Sequence, residues 1–261
     1  NEIRARINYL MEAGFDYLAA ESGTSEFTNP GGDRMLAWMD IFASHLDDEW
    51  GAEAFIKNHI TADQVAEGYP DPDTGEDINF NLLTYYADSR LGAMPHTVQH
   101  YALDDPAPTY GNDDFSHMHR YIQLEAGRRQ VVWHPETAYW VSFDIDVPLF
   151  LPIYAERRLH DLRLLADDEI AGRMGTDEYA GSRMDGQFIF SSGYEWGYWL
   201  NDAVSARAVW NPRIEMATDE DAMADILQRM FKPFGDANGA VTAHLQTIMQ
   251  NQMELLIEGR V

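Results

Sequence analysis

The chain has 261 residues, enough for one sizeable domain with a large core, and its 45% hydrophobic and 12% aromatic content excludes wholesale disorder. Asp and Glu number 44 against 18 Lys and Arg, a net charge of −26. Such a surface repels nucleic acid and anionic lipid, and no apolar run approaches the ~18 residues of a membrane span.

The elements follow in chain order. Ile3 to Met11 reads as a helix stopped at Gly14, and Phe15 to Ala20 as a short strand. Met35, Trp38, Met39, Phe42 and Leu46 recur at helical spacing, and Ala54 to Ile60 reads as a second strand. Glu67 to Asn79, rich in Pro, Gly and Asp, is expected to be an exposed loop, followed by a short helix over Leu82 to Ala87. A third strand falls within Leu91 to Leu103. A helix capped by Asp113 or Asp114 runs to Ala126 and closes at Gly127. Gln130 to His134 is the fourth strand, Tyr154 to Ile170 a helix, Gln187 to Ser191 the fifth strand, and Leu200 to Trp210 a helix. Two more helices end the chain, the first opened by Thr218 and Asp221 in the manner of a capping box.

This β–loop–α succession predicts an α/β fold with a parallel sheet. The loops after the strands are long, polar and aromatic, as on the active face of a (β/α) TIM-type barrel. Five strands are fewer than eight. The expectation is therefore such a barrel, or the C-terminal five β–α units of one, in a single domain over 1–261 with extra C-terminal helices. Asn1 in place of Met leaves open a processed leader or a longer protein.

Three apolar stretches each run into a glutamate among Gly, Ser, Thr or aromatic residues: Glu21 in FDYLAAESGTSEF, Glu136 in QVVWHPETAYW and Glu195 in QFIFSSGYEWGYW. A carboxylate between a buried strand and a helix is where α/β enzymes place catalytic groups. Glycoside hydrolysis needs two carboxylates, one protonated and one ionised. The alternative is that these glutamates cap helices or pair with Arg34, Arg157 or Arg207. Tyr139, Trp196 and Trp199 suit stacking on sugar rings, and His96 and His134, near strand ends, suit a pocket lining.

ESGTSEF, HPETAYW and YEWGYW on successive units resemble the clan of retaining glycoside hydrolases built on eight-stranded barrels. The stretches HPETAYWVSFDIDVPLFLPIYAERRLHDLRLL and SSGYEWGYWLNDAVSARAVW also resemble an uncharacterised bacterial family. The clan resemblance implies Glu21 as acid/base, Glu136 as nucleophile and Trp196 as the aromatic platform after the last strand. Ala20 stands where that clan usually has Asn, and Glu26 in the same loop competes for the acid/base role.

Other motifs carry less. His59, His96 and His134 with Asp144 form a possible metal set for a metal-dependent hydrolase, and HMH at His117 and His119 lies in a predicted helix, where residues two apart do not share a face. DPDTGEDIN from Asp71 resembles a calcium loop, but its Gly is misplaced and Leu82 stands where the bidentate Glu belongs. The chain has no cysteine, which excludes thiol chemistry and disulfides. No P-loop, dinucleotide fingerprint or G-x-S-x-G elbow occurs.

The leading expectation is a glycosidase-type hydrolase acting on a polysaccharide or oligosaccharide through Glu21, Glu136 and Glu195, with no cofactor or metal. The alternatives are a non-catalytic glycan-binding or structural subunit, associated with the rest of a longer chain or an oligomer, and the metal-dependent hydrolase. The compartment is left open, a secreted or periplasmic location included. With Lys57 and Lys232 the only lysines, the acidity also has the bias of salt-adapted proteins.

Overall fold

In a computed structural model the described residues are 2–23, 28–139, 149–192 and 195–259. By its internal contacts the chain divides into two compact units, one of 1–96, 108–134 and 173–188, the other of 97–107, 135–172 and 189–261. The elements include β1 (Tyr17–Glu21), β2 (Glu53–Asn58), β3 (Val65–Pro70), β4 (Asp77–Asn79), β5 (Leu91–Thr97), β6 (Val132–Pro135) and β7 (Gly186–Gln187). A five-stranded sheet has the order β1-β2-β5-β6-β7, with parallel pairing wherever the register is defined. Sheet order equals chain order, so the winding never reverses. A doubly wound fold would reverse it at a switch point. The α/β class and the parallel sheet expected from the sequence are both present.

In the first unit, α1 (Glu2–Glu12) packs on α2 (Gly32–Trp50), and α2 packs on β2. Met35, Met39, Phe42, Ala43 and Leu46 form the buried stripe of α2, as their spacing requires. Leu18, Ala54 and Ile56 point to the buried side of the sheet, and Met39, Phe42, Ala20 and Ile56 line one shared cavity there. The opposite side carries Tyr17, Ala19 and Glu21 of β1, level with Glu53, Phe55 and Lys57 of β2. Tyr17 and Phe188 remain half exposed on it.

The stretch expected to be an exposed loop holds the antiparallel pair β3–β4. Its Pro, Gly and Asp residues form the turn, closed by Gly75 N–H to Asp71 O at 2.8 Å, while Ala66 and Ile78 bury one side of the hairpin. Asp71 Oδ1 accepts from the N–H groups of Asp73 and Thr74, and Arg120 bridges the carboxylates of Asp71 and Asp73. The aspartates that resembled a calcium loop are thus engaged in a stapled turn. Farther on, α3 (Ser116–Glu125) ends where expected, at Gly127 with φ of +80°. Buried Arg129 pairs with Glu125 at 2.6 Å and donates to the carbonyls of Ala87, Asp88 and Leu91, closing the entry to β5.

The second unit is helical. Its α4 (Ile153–Ile170) packs against α5 (Glu195–Trp210), α6 (Asp219–Met230) and α7 (Asn238–Leu256). Leu159, Leu162 and Leu165 form the expected buried stripe of α4. Thr218 Oγ1 accepts the Asp221 N–H at 3.1 Å, the cap expected for α6. Helix α5 starts five residues before the expected Leu200, and Tyr198 in its first turn is fully buried. Among the described residues no helix is long and apolar enough to cross a membrane.

Candidate functional site

Each unit gathers its own set of chemically capable side chains. In the first unit they stand at the C-terminal ends of the parallel strands. Glu21 closes β1 and is the register partner of Lys57, with Oε1 at 2.9 Å from Nζ. The cation that pairs with Glu21 is therefore Lys57, not one of the arginines considered from sequence.

One level farther along, Asn58 pairs with Pro95 and Trp133 with Gln187, which sets His59 beside His96 and His134 beside Phe188. The rings form a cross-strand ladder. Centroids are 5.6 Å apart for His59 and His96, 5.0 Å for His96 and His134, and 5.6 Å for His134 and Phe188. Tyr110 meets His59 edge-on at 5.1 Å.

The three imidazoles are buried, and burial lowers all of them. His59 falls to about 3 and His134 to about 4, and His96 is lowered well below its ordinary value. The Lys57 ammonium pushes each of them in the same direction. They are neutral at physiological pH. His96 Nδ1 lies 2.7 Å from the His134 carbonyl, and His134 Nδ1 contacts the Phe188 carbonyl. A carbonyl oxygen only accepts, so in both residues Nδ1 holds the proton and Nε2 keeps the lone pair. Glu21, Lys57, His96 and His134 thus form a polar rim above the apolar residues Tyr17, Phe55, Met94 and Val132. These four, with Phe188, line a cavity of about 250 Å³.

In the second unit the centre is Glu136, immediately after β6. It is 4% exposed. Its Oε2 accepts the Gln99 N–H at 2.6 Å, and its own N–H donates to Thr97 O at 3.0 Å. Fully buried Arg158 donates to the Glu136 carbonyl at 3.0 Å and to the Tyr101 carbonyl, beside Asp161 at 3.1 Å. Burial, with Glu136 next in effect, raises the Tyr154 phenol well above its ordinary value, and Tyr139 and Tyr198 contribute to the same field. Burial also holds His100 down at about 4, and its ring lies 6.0 Å from Tyr154. Among the described residues the Tyr154 and Tyr198 hydroxyls and His100 Nε2 are buried without a hydrogen-bond partner. Next to this group, Asp202 accepts from Thr137 at 2.5 Å and from Ser191 at 2.7 Å, tying two loops to α5.

The first unit therefore brings Glu21, His96 and His134 together, and the second brings Glu136 together with Tyr139. Trp196 and Trp199 lie on α5 with their rings exposed. Glu195 opens α5, but its side chain lies outside the described residues, as do Glu26 and Asp144. Among the described residues no three His, Asp or Glu side chains are placed to share a metal ion. His117 and His119 sit on α3.

Sequence reasoning missed Lys57, Gln99, Tyr154 and Arg158. Lys57 had a signal, being one of two lysines and falling inside a strand. Arg158 had another, since it stands four residues before Leu162 and puts a charge on the face of Leu159, Leu162 and Leu165. Gln99 acts through its main chain and left no side-chain signal. No described protein family, curated protein or solved structure matches this chain.

Proposed function

We propose that this chain carries a glycoside hydrolase site of the two-carboxylate kind, with Glu136 as nucleophile. The observation that carries the reading is the setting of Glu136. Its carboxylate is buried at the end of a parallel strand, held by a main-chain N–H and placed among tyrosines. The main-chain donor fixes the position of the carboxylate at the end of the strand, as a nucleophile requires. Buried phenols and an imidazole without partners among the described residues are groups that substrate hydroxyls could satisfy. Tyr139, Trp196 and Trp199 would stack on the rings, and Glu195 would bind a hydroxyl.

The scaffold for this site is a (β/α) barrel. The single direction of winding supports it, and so does the side of the sheet opposite α2, with an apolar lower layer and a polar upper rim. Tyr17 and Phe188 are half exposed on that side. Further β–α units, from a longer chain or an associated subunit, would cover it.

The test is hydrolysis of a panel of aryl glycosides and neutral polysaccharides by the wild type and by Glu136→Gln. The expected result is activity on at least one substrate, lost by more than about 10³-fold in Glu136→Gln while the circular dichroism spectrum is unchanged. Full activity in Glu136→Gln, or no activity on any substrate, overturns the proposal.

A further inference from the structure

Helix α5 carries an aromatic stripe on its solvent side. Trp196 is 86% exposed, Trp199 43% and Trp210 90%. At 100° per residue these positions fall within about 60° of one another around the axis, and the outer two are about 21 Å apart along it. Ala203 and Ala206, between them on the same side, are small, and exposed Arg207 flanks them. The surface continues sideways. Trp199 meets Phe231 edge-on at 6.2 Å, and Phe231 meets Phe234, itself 58% exposed, at 5.6 Å. Three tryptophans in water on one helix side form an apolar patch of the kind that marks a binding surface. The buried side of the same helix, Tyr198, Leu200, Val204 and Ala208, already supplies its packing.

The geometry points to a binding platform for an extended neutral polysaccharide along α5, in which Trp210 and Phe234 extend the stacking row of Trp196 and Trp199. This inference rests on the carbohydrate reading above and extends it to a polymeric substrate. The charge argument selects the occupant. Aromatic rows also serve single-stranded nucleic acid and anionic membrane surfaces, but both are polyanionic, and a chain of net charge −26 repels them. A neutral sugar polymer has no such penalty, and its rings present flat CH faces to indole. A row about 21 Å long engages several successive rings and gains affinity from each, which a single sugar cannot exploit.

The experiment is affinity gel electrophoresis in soluble β-glucan, xylan and galactomannan, with Trp210→Ala and the double variant Trp210→Ala/Phe234→Ala beside the wild type. At least one polysaccharide should retard the wild type. Trp210→Ala should bind it roughly tenfold more weakly, the scale of one lost ring-stacking contact, and the double variant more weakly still. Cleavage of a small aryl glycoside should be unchanged in Trp210→Ala. Glu136→Gln should be retarded like the wild type. Retardation that survives in both stripe variants overturns the platform even if Glu136 proves catalytic. Absence of retardation in every gel also overturns it. So does wild type that elutes as a dimer and becomes a monomer in Trp210→Ala, because the stripe is then a contact between copies of this chain. A stripe that binds polysaccharide in a protein without glycosidase activity would leave the platform standing and remove the hydrolase reading.

Discussion

Arg158 Nη1 donates to the main-chain carbonyl of Glu136 at 3.0 Å, while the same fully buried guanidinium lies 3.1 Å from Asp161. Asp161 Oδ1 in turn accepts the Leu103 N–H at 2.7 Å. One arginine therefore fixes the backbone under Glu136 to the core of α4. Its removal takes the cation from a buried carboxylate and one donor from each of two carbonyls. We expect Arg158→Met to cost about 3–5 kcal/mol. Arg158→Met/Asp161→Asn should recover part of that loss, because the uncompensated charge is gone. Urea denaturation of the four members of this cycle measures it, and additive losses would show that the two side chains act independently.

The histidine ladder predicts acid sensitivity. His59, at about 3, and His134, at about 4, lie below their unfolded value near 6.5, and burial lowers His96 well below it as well. As pH falls below about 6.5 the unfolded chain binds protons that the folded chain refuses, so stability falls until the folded values are reached. Asp161 opposes this, because burial raises it to about 6 and the folded state gains its proton first. The ladder is isolated by substitution. Between pH 6 and 5, His96→Gln should flatten the dependence of stability on pH by up to about 1.4 kcal/mol per pH unit, one proton's worth. Parallel curves for wild type and variant would mean that His96 is protonated in the fold.

His160 predicts the opposite behaviour at the other end of the scale. Burial works against its charge, but hydrogen bonds to Asp104 at 2.8 Å and Asp219 at 2.6 Å push it up to about 10. Its stabilisation is complete below the unfolded value near 6.5 and is lost as pH rises through about 10. The pairing joins α4 to the first turn of α6, so α6 should loosen in alkali. His160→Gln keeps hydrogen-bonding capacity without the charge. Its melting temperature should change less than that of the wild type between pH 7 and 10. An imidazole that titrates near 6.5 by NMR would refute the pairing.

Much of the fold was legible because apolar period and punctuation agree. The stripe of α2, the Thr218 cap and the Gly127 stop are each a local pattern with one physical meaning. The β3–β4 hairpin was hidden because its turn composition overwhelmed two short strands with one buried residue each, Ala66 and Ile78. In β7 only Gly186 and Gln187 form the strand, although Phe188 N–H still reaches the Trp133 carbonyl at 2.9 Å. The sequence marked Glu136 but not what holds it, since Gln99 contributes an amide and Arg158 acts from a helix 22 residues away. The sequence offered Glu21 only arginines as ion-pair partners, and the parallel register places Lys57 beside it instead. Pairing across strands is a tertiary fact, and no local window contains it.

Salt should stabilise the protein. With net charge −26, cations are too few to neutralise the carboxylates locally. Arg90 shows the shortage, since it alone serves Asp47 and Asp48, both at 3.0 Å, and Asp88 at 2.7 Å. Exposed pairs of this kind contribute little and lose that little to screening. The repulsion among the remaining carboxylates is the larger quantity, and it is felt more in the folded state, where charges lie closer together. Screening shortens the Debye length from about 30 Å at 0.01 M to about 3 Å at 1 M. The melting temperature should therefore rise between those salt levels. Arg90→Gln, which frees three neighbouring carboxylates, should start lower and gain more from salt than the wild type. A melting temperature that is flat or falls with NaCl would sink the salt-adaptation reading and leave the acidity as ordinary solubility charge.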